Sequence, residues 1–173
     1  GKDKNLPLEG AAWVAGKGKS RKDLQINQPG SVAFKDDLKE VGNFERDKPF
    51  SVGAWVEIPK GSNFGPIVAR MEKGPGHRGW DFWYENGRFG LHLVSNWPTS
   101  GIKVLTKKTF DSNQWHHAMV TYDGSSKAAG IKVYVDGVFL ETEVVNDTLA
   151  AAPGTIRTNV PLRIGKRDES EPL

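Results

Sequence analysis

The densest pairing of side chains able to bind a metal or carry a proton is His116–His117, in the stretch WHHAMVTYDGSS. Two imidazoles can ligate one ion or relay one proton, provided both rings reach a common point. The stretch reads as a β-strand, and on a strand neighbouring side chains leave from opposite faces. The pair therefore cannot converge on one ion without a bulge. His117 shares a face with Trp115 and Met119, the expected core side; His116 shares the other with Ala118, Val120 and Tyr122. His117 is accordingly expected to be a packed, hydrogen-bonded residue with a structural role. His77 and His92 add no H-x-H or H-E-x-x-H spacing. Among carboxylates, Glu141 and Glu143 share one strand face without a third partner, and DESE at 168 to 171 lies in the tail. The chain has no cysteine, which removes disulfides, thiolate metal sites and a cysteine nucleophile.

These groups must be held by strands. The run FSVGAWVEIP alternates Phe50, Val52, Ala54, Val56 and Ile58 with Ser51, Gly53, Trp55 and Glu57, the period of a half-buried strand, and Pro59 stops it. Asn86-Gly87 divides WDFWYENGRFGLHLV into a hairpin, since both residues of a type I′ turn need positive φ. Asp136-Gly137 divides GIKVYVDGVFLETEV in the same way. AAWVAG reads as a leading strand with basic flanks, DLQI and SVAF as two short strands around an NQPG turn, and GPIVARMEK, IKVLTKKTF and PLRIGK as further strands. No amphipathic helix of ten residues or more is found. About a dozen short strands in 173 residues predict one all-β domain, a two-sheet antiparallel β-sandwich over residues 1–173, with 1–22 as a basic leading segment.

The net charge of +3, from 24 basic and 21 acidic residues, is too balanced to point to nucleic acid. No run approaches the roughly 18 apolar residues of a membrane span. The opening GKDKNLPLEG holds no apolar core of a signal peptide, so targeting information is expected outside these residues.

The ordered series FSVGAWV, QWHHAMVTYDG, IKVYVDG and PLRIG, from about Ser31 to Lys166, resembles laminin G-like domains of the concanavalin A-like jelly-roll group. The block RGWDFWYENGRFGLHLVSNWPTSGIKV resembles the version embedded in large planctomycete proteins, beside c-type cytochrome domains. The resemblance implies a concanavalin A-like jelly roll in a bacterial secreted or periplasmic setting. It does not imply one activity, because the group includes lectins, glucanases, adhesion modules and structural inserts. It also implies a strand after PLRIG, of the form G-x-I-D-E-V-R-I-Y, where this sequence has KRDESEPL. The N-terminal segment, a second copy or another piece of the parent chain is expected to cover the corresponding sheet edge by strand addition.

Within that frame the candidates are few. Jelly-roll glucanases carry E-x-D-x-x-E on one strand; this sequence has none, so catalysis is not expected. The resemblance raises calcium at the sandwich rim, with Asp123, Asp136, Asn146 and Asp147 as candidate ligands. Asp123 and Asp136 each precede glycine, so turn chemistry accounts for them equally well. For saccharide stacking, Trp97 in the loop SNWPTSG is either an exposed platform beside Asn96 or a cap on the core. The loop GPGHRGW adds His77, Arg78 and Trp80 nearby. Trp55 and Trp83 fall on the polar faces of their strands, where they line a sheet face or lie under loops. The function expected is a non-catalytic module binding carbohydrate or protein through rim loops. The alternative is an interaction insert of a larger secreted redox protein.

Overall fold

The computed structural model describes residues 8–16, 22–33 and 40–168. Twelve strands run through them: β1 (Leu8–Ala15), β2 (Lys22–Ala33), β3 (Phe50–Glu57), β4 (Phe64–Met71), β5 (Gly79–Glu85), β6 (Arg88–Asn96), β7 (Ser100–Thr106), β8 (Trp115–Tyr122), β9 (Ile131–Val135), β10 (Val138–Leu140), β11 (Thr142–Asp147) and β12 (Arg163–Ile164). The larger sheet has the order β1-β2-β12-β4-β5-β6-β7-β11 and the smaller β10-β9-β8-β3. Every described pairing is antiparallel. The fold is the concanavalin A-like β-sandwich expected from the sequence.

Both hairpins form where the turn chemistry placed them. Asn86 and Gly87 take φ of 49° and 81°, Asp136 and Gly137 of 53° and 80°. β3 buries Phe50 and half-buries Val52, Ala54 and Val56, while Ser51, Gly53 and Trp55 face outward, as its alternation predicts. The core lies between the sheets. Phe82, Phe89, Leu91, Leu93, Ile102 and Val104 of the larger sheet meet Ala118, Val120 and Val133 of the smaller, all at 0% exposure. Burying each large apolar side chain contributes about 1.5–3 kcal/mol. The buried Arg70 guanidinium ties two loops to this body, donating to Val41 O (2.8 Å) and Thr158 O (2.9 Å).

Three expectations change. DLQI and SVAF are parts of one strand, β2; the NQPG residues between them bulge out opposite Gly10 and do not end the strand, since Ile26 pairs with Ala11 and Ser31 with Glu9 on β1. VFLETEV does not continue as one strand. After Glu141 the chain crosses from the smaller sheet, where β10 pairs with β9, to the edge of the larger, where β11 pairs with β7. On β8 the parity is reversed: Ala118, Val120 and Tyr122 are buried, so His116 belongs to the inner face and His117 to the outer. His116 packs edge-on to Phe110, and its Nδ1 lies 2.8 Å from Asp136 Oδ2. His117 packs against Trp55.

Beside PLRIG, β2 pairs with one side of β12 and β4 with the other, while the leading strand β1 pairs with the far side of β2. Apart from Lys22, the KGKSRK cluster lies outside the described residues, as does the tail beyond Asp168.

Candidate functional site

The outer face of the larger sheet carries a polar line of residues that the hairpin turn aligns. A two-residue turn at Asn86-Gly87 forces Glu85 opposite Arg88, hence Trp83 opposite Gly90 and Asp81 opposite His92. Trp80, Phe82 and Tyr84 point into the core from the same strand, so Asp81, Trp83 and Glu85 face outward. β7 adds Lys103 beside His92.

Trp83, His92 and Lys103, together with Arg167, which follows β12, wall a hollow of about 220 Å3, lined also by Met71, His77, Val94 and Trp97. Asp81 is fully buried there. Its Oδ1 lies 2.6 Å from His92 Nδ1, and its Oδ2 accepts from Arg167 Nε at 2.8 Å and Nη2 at 2.7 Å. Burial alone would push the Asp81 carboxyl up. The opposing charges of His92 and Arg167, and the hydrogen bonds from both, outweigh it and hold the group at about 2. The Arg167 guanidinium also lies 4.4 Å from the centre of the Trp83 ring, a cation–π contact. Glu85 accepts from Lys103 Nζ (2.6 Å) and Trp83 Nε1 (3.0 Å). Burial raises its carboxyl, but these bonds bring it below the ordinary value.

Two loops close one end. A bulge between Val94 and Asn96 turns the end of β6, which re-aims the residues that follow. Trp97 then lies across Gly101, whose missing Cβ would sit 3.2 Å from the indole. Its backbone N–H donates to Gly76 O (2.8 Å), joining the two loops, and its ring meets His92 edge-on at 5.9 Å. Pro98 O accepts from Asn146 Nδ2 and Thr148 Oγ1, both at 2.8 Å, which fixes the loop to the rim. Gly76 is required where it stands: its φ is 91°, and a Cβ would fall 2.5 Å from Asn96 Oδ1.

Of the residues singled out from sequence, Trp97 and His77 line the hollow, Trp97 half-buried, with Asn96 exposed at its rim. His77 Nδ1 is buried without a protein partner. Arg78 and Trp80 do not join them. Arg78 turns away to bind both oxygens of Glu72 at 3.0 Å, beside a second hollow lined by Glu40, Asn43 and Arg157. Trp80 is 2% exposed, packs on Phe44 and Phe50, and donates its N–H to Gly42 O (2.7 Å). Trp83 is the covered aromatic and Trp55 the exposed one of the pair on polar-parity faces.

Asp123, Asp136 and Asp147 do not form one calcium site. Asp123 caps Ser125 N (2.9 Å), Asp136 accepts from His117 N (2.9 Å), and Asp147 accepts from Ala128 N (2.9 Å). Asp136 sits at the start of β8 and Asp123 just past its end, a separation of roughly 20 Å at about 3.3 Å per residue. Among the described residues, no three or more histidines and carboxylates gather closely enough to hold a metal.

The family profile described as the concanavalin A-like lectin/glucanases superfamily, in its laminin G-like branch, matches residues 30–172, and the chain belongs to that family. No curated protein is similar to it in sequence. Among solved structures, the binding domain of botulinum neurotoxin serotype C1 superposes with a TM-score of 0.56 at 15% identity, over 92% of this chain and 37% of that one. The endo-β-1,4-glucuronan lyase of the fungus Trichoderma reesei gives 0.56 at 14% identity, over 94% and 76%. Domain 4 of AbnA, an extracellular arabinanase from Geobacillus stearothermophilus, in complex with arabinotriose, gives 0.50 at 16%, over 96% and 76%. This chain thus spans little more than a third of the neurotoxin structure, and at these identities the likeness is one of fold.

Proposed function

We propose that the protein is a non-catalytic carbohydrate-binding module whose site is the hollow between Trp97, His77, Trp83, His92, Lys103 and Arg167. The observation that carries this reading is the lining itself: indole and imidazole edges interleaved with hydrogen-bond donors, held by bonds between strands far apart in sequence. At about 220 Å3 the hollow is smaller than the roughly 300–1,000 Å3 that encloses a drug-sized ligand, so it takes one sugar unit of a longer chain. Arg167 and Lys103 are balanced by Asp81 and Glu85, which suits the hydroxyls of a neutral saccharide.

The carboxyls argue against hydrolysis. A glycosidase needs one carboxylic acid held protonated by a raised pKa. Asp81 and Glu85 are both lowered, and both are occupied by cations. Related folds that bind sugars support the reading. They include a botulinum neurotoxin binding domain solved with SialylT, a type C neurotoxin whose cell entry depends on two ganglioside molecules, and the arabinotriose complex above.

The test is a glycan array with the purified domain, followed by titration of the best hit against Trp97→Ala. Loss of at least tenfold in affinity with an unchanged melting temperature is expected. Equal binding by wild type and variant would move the site elsewhere. A blank array on folded protein would favour a protein partner, of the kind another botulinum neurotoxin binding domain shows in its complex with rat synaptotagmin II.

A further inference from the structure

The two nitrogens of the His92 imidazole have different surroundings. Nδ1 lies 2.6 Å from Asp81 Oδ1, so one hydrogen sits between them. Asp81 does not carry it. Its other oxygen already accepts two N–H groups of Arg167, at 2.8 and 2.7 Å, and the carboxyl is held at about 2. The hydrogen therefore belongs to Nδ1, and the neutral ring bears its lone pair at Nε2. Trp83 and Trp97 both stand edge-on to this ring, at 5.3 and 5.9 Å between centres, and hold its orientation. Nε2 faces away from Asp81, on a residue that lines the hollow, and has no hydrogen-bond partner among the described residues.

The other polar groups along the hollow set this nitrogen apart. Arg167, Lys103 and the two indoles carry only N–H donors. His77 is the second imidazole there, and its Nδ1 is buried. Any sugar oxygen, whether hydroxyl, ether or carbonyl, can accept from these donors. Only a hydroxyl can also donate to the lone pair of Nε2. We propose that His92 sets the specificity of the hollow by accepting at Nε2 a hydrogen bond from one free hydroxyl of the sugar. The inference rests on the carbohydrate reading above and narrows it: the ligand is a neutral saccharide unsubstituted at the hydroxyl that faces His92.

The same geometry ties recognition to acidity. Because Asp81 commits Nδ1, a proton added to His92 goes to Nε2. The acceptor then becomes a donor, which the oxygen of a methyl ether satisfies as well as a hydroxyl does. The charged and titratable groups around the ring are Asp81 of β5, Lys103 of β7, His77 of the loop after β4 and Arg167 after β12. Glu85 is held by Lys103. Asp81 stays ionised far into acid, so it keeps its hold on Nδ1 while His92 titrates. Discrimination between a free and a blocked hydroxyl is therefore lost when His92 is protonated. A histidine that only filled the sheet face would show no such dependence.

Proton–nitrogen correlation spectra of the purified protein in mildly alkaline solution read the tautomer directly. His92 is expected to carry its hydrogen at Nδ1, and a ring protonated at Nε2 alone overturns the proposal. The ligand probes are the methyl glycosides of neutral hexoses and pentoses, each beside its mono-O-methyl ethers. They are titrated to about 100 mM, enough for a millimolar site. For the glycoside bound best, one ether is expected to bind roughly tenfold to a hundredfold more weakly, since it leaves Nε2 unpaired. As the His92 signals report protonation in acid, that ratio should shrink toward one, whereas a loss caused by the bulk of the methyl group would persist. Ethers that all bind like the parent, or a ratio indifferent to His92 protonation, overturn the proposal. If binding is then still lost in Trp97→Ala, the hollow stands as the sugar site; if no glycoside binds at all, both readings fall.

Discussion

Asp81→Asn removes the buried charge that holds His92 and Arg167, two walls of the hollow, while keeping the shape of the side chain. Asp81 lies at 0% exposure between His92 and Arg167. Its carboxyl falls from the ordinary 3.8 to about 2; at about 1.4 kcal/mol for each factor of ten in acidity, that is worth about 2 kcal/mol. The substitution also leaves the Arg167 guanidinium, only 11% exposed, beside a neutral amide, and breaking a buried pair of this kind costs about 3–5 kcal/mol. At neutral pH a loss of about 2–4 kcal/mol is expected, or roughly 5–15 °C in melting temperature for a domain of this size. The pH dependence follows from the direction of the displacement. A depressed carboxylate stabilises the fold fully above its unfolded value, near 4, and the stabilisation drains away as pH falls toward 2. Thermal unfolding by tryptophan fluorescence at steps from pH 7 to about pH 2.5 should show the two curves converging as the medium becomes acid. A variant as stable as wild type at pH 7, or a difference that does not narrow in acid, would refute the assignment of Asp81 as the ionised centre of the network.

Other outcomes follow from single contacts. Gly90→Ala should destabilise by about 2–3 kcal/mol in urea titration, because its Cβ would fall 1.9 Å from Val104 O, on backbone that cannot move without parting β6 from β7. Tyr122→Phe should cost about 1–3 kcal/mol by the same measurement. The phenol donates to Arg46 O (2.5 Å) and accepts from Ser126 N (2.6 Å); the variant strands Ser126 N and leaves Arg46 O only the long bond from Ser126 Oγ (3.4 Å).

Local chemistry made much of this protein legible. Asn86-Gly87 and Asp136-Gly137 specify their hairpins because positive φ is affordable there, and a two-residue turn then sets the register of both strands. Asp81 opposite His92 follows from that register, so the centre of the candidate site lay within reach of the sequence once alternation in WDFWYE put Asp81 and Trp83 on the same outer face. Trp97 and His77 stood out as loop residues of the right type. Arg78 and Trp80 stood beside them in sequence but not in space: Trp80 follows strand parity inward, and Arg78 is drawn off by Glu72.

The sequence by itself determined the class of fold, the turns, and which residues share a strand face, because φ preferences and a period of two act over a few residues. It misjudged which face of β8 is the inner one, since tryptophan and methionine beside His117 outweighed alanine, valine and tyrosine beside His116. Only the tertiary structure decided that, by sandwiching Ala118 and Val120 between the sheets. It alone brought Arg167 to Asp81 across 86 positions of chain, placed β12 between β2 and β4, and sent β11 to the far edge of the other sheet. Those are matters of which surfaces bury each other, and no local preference records them.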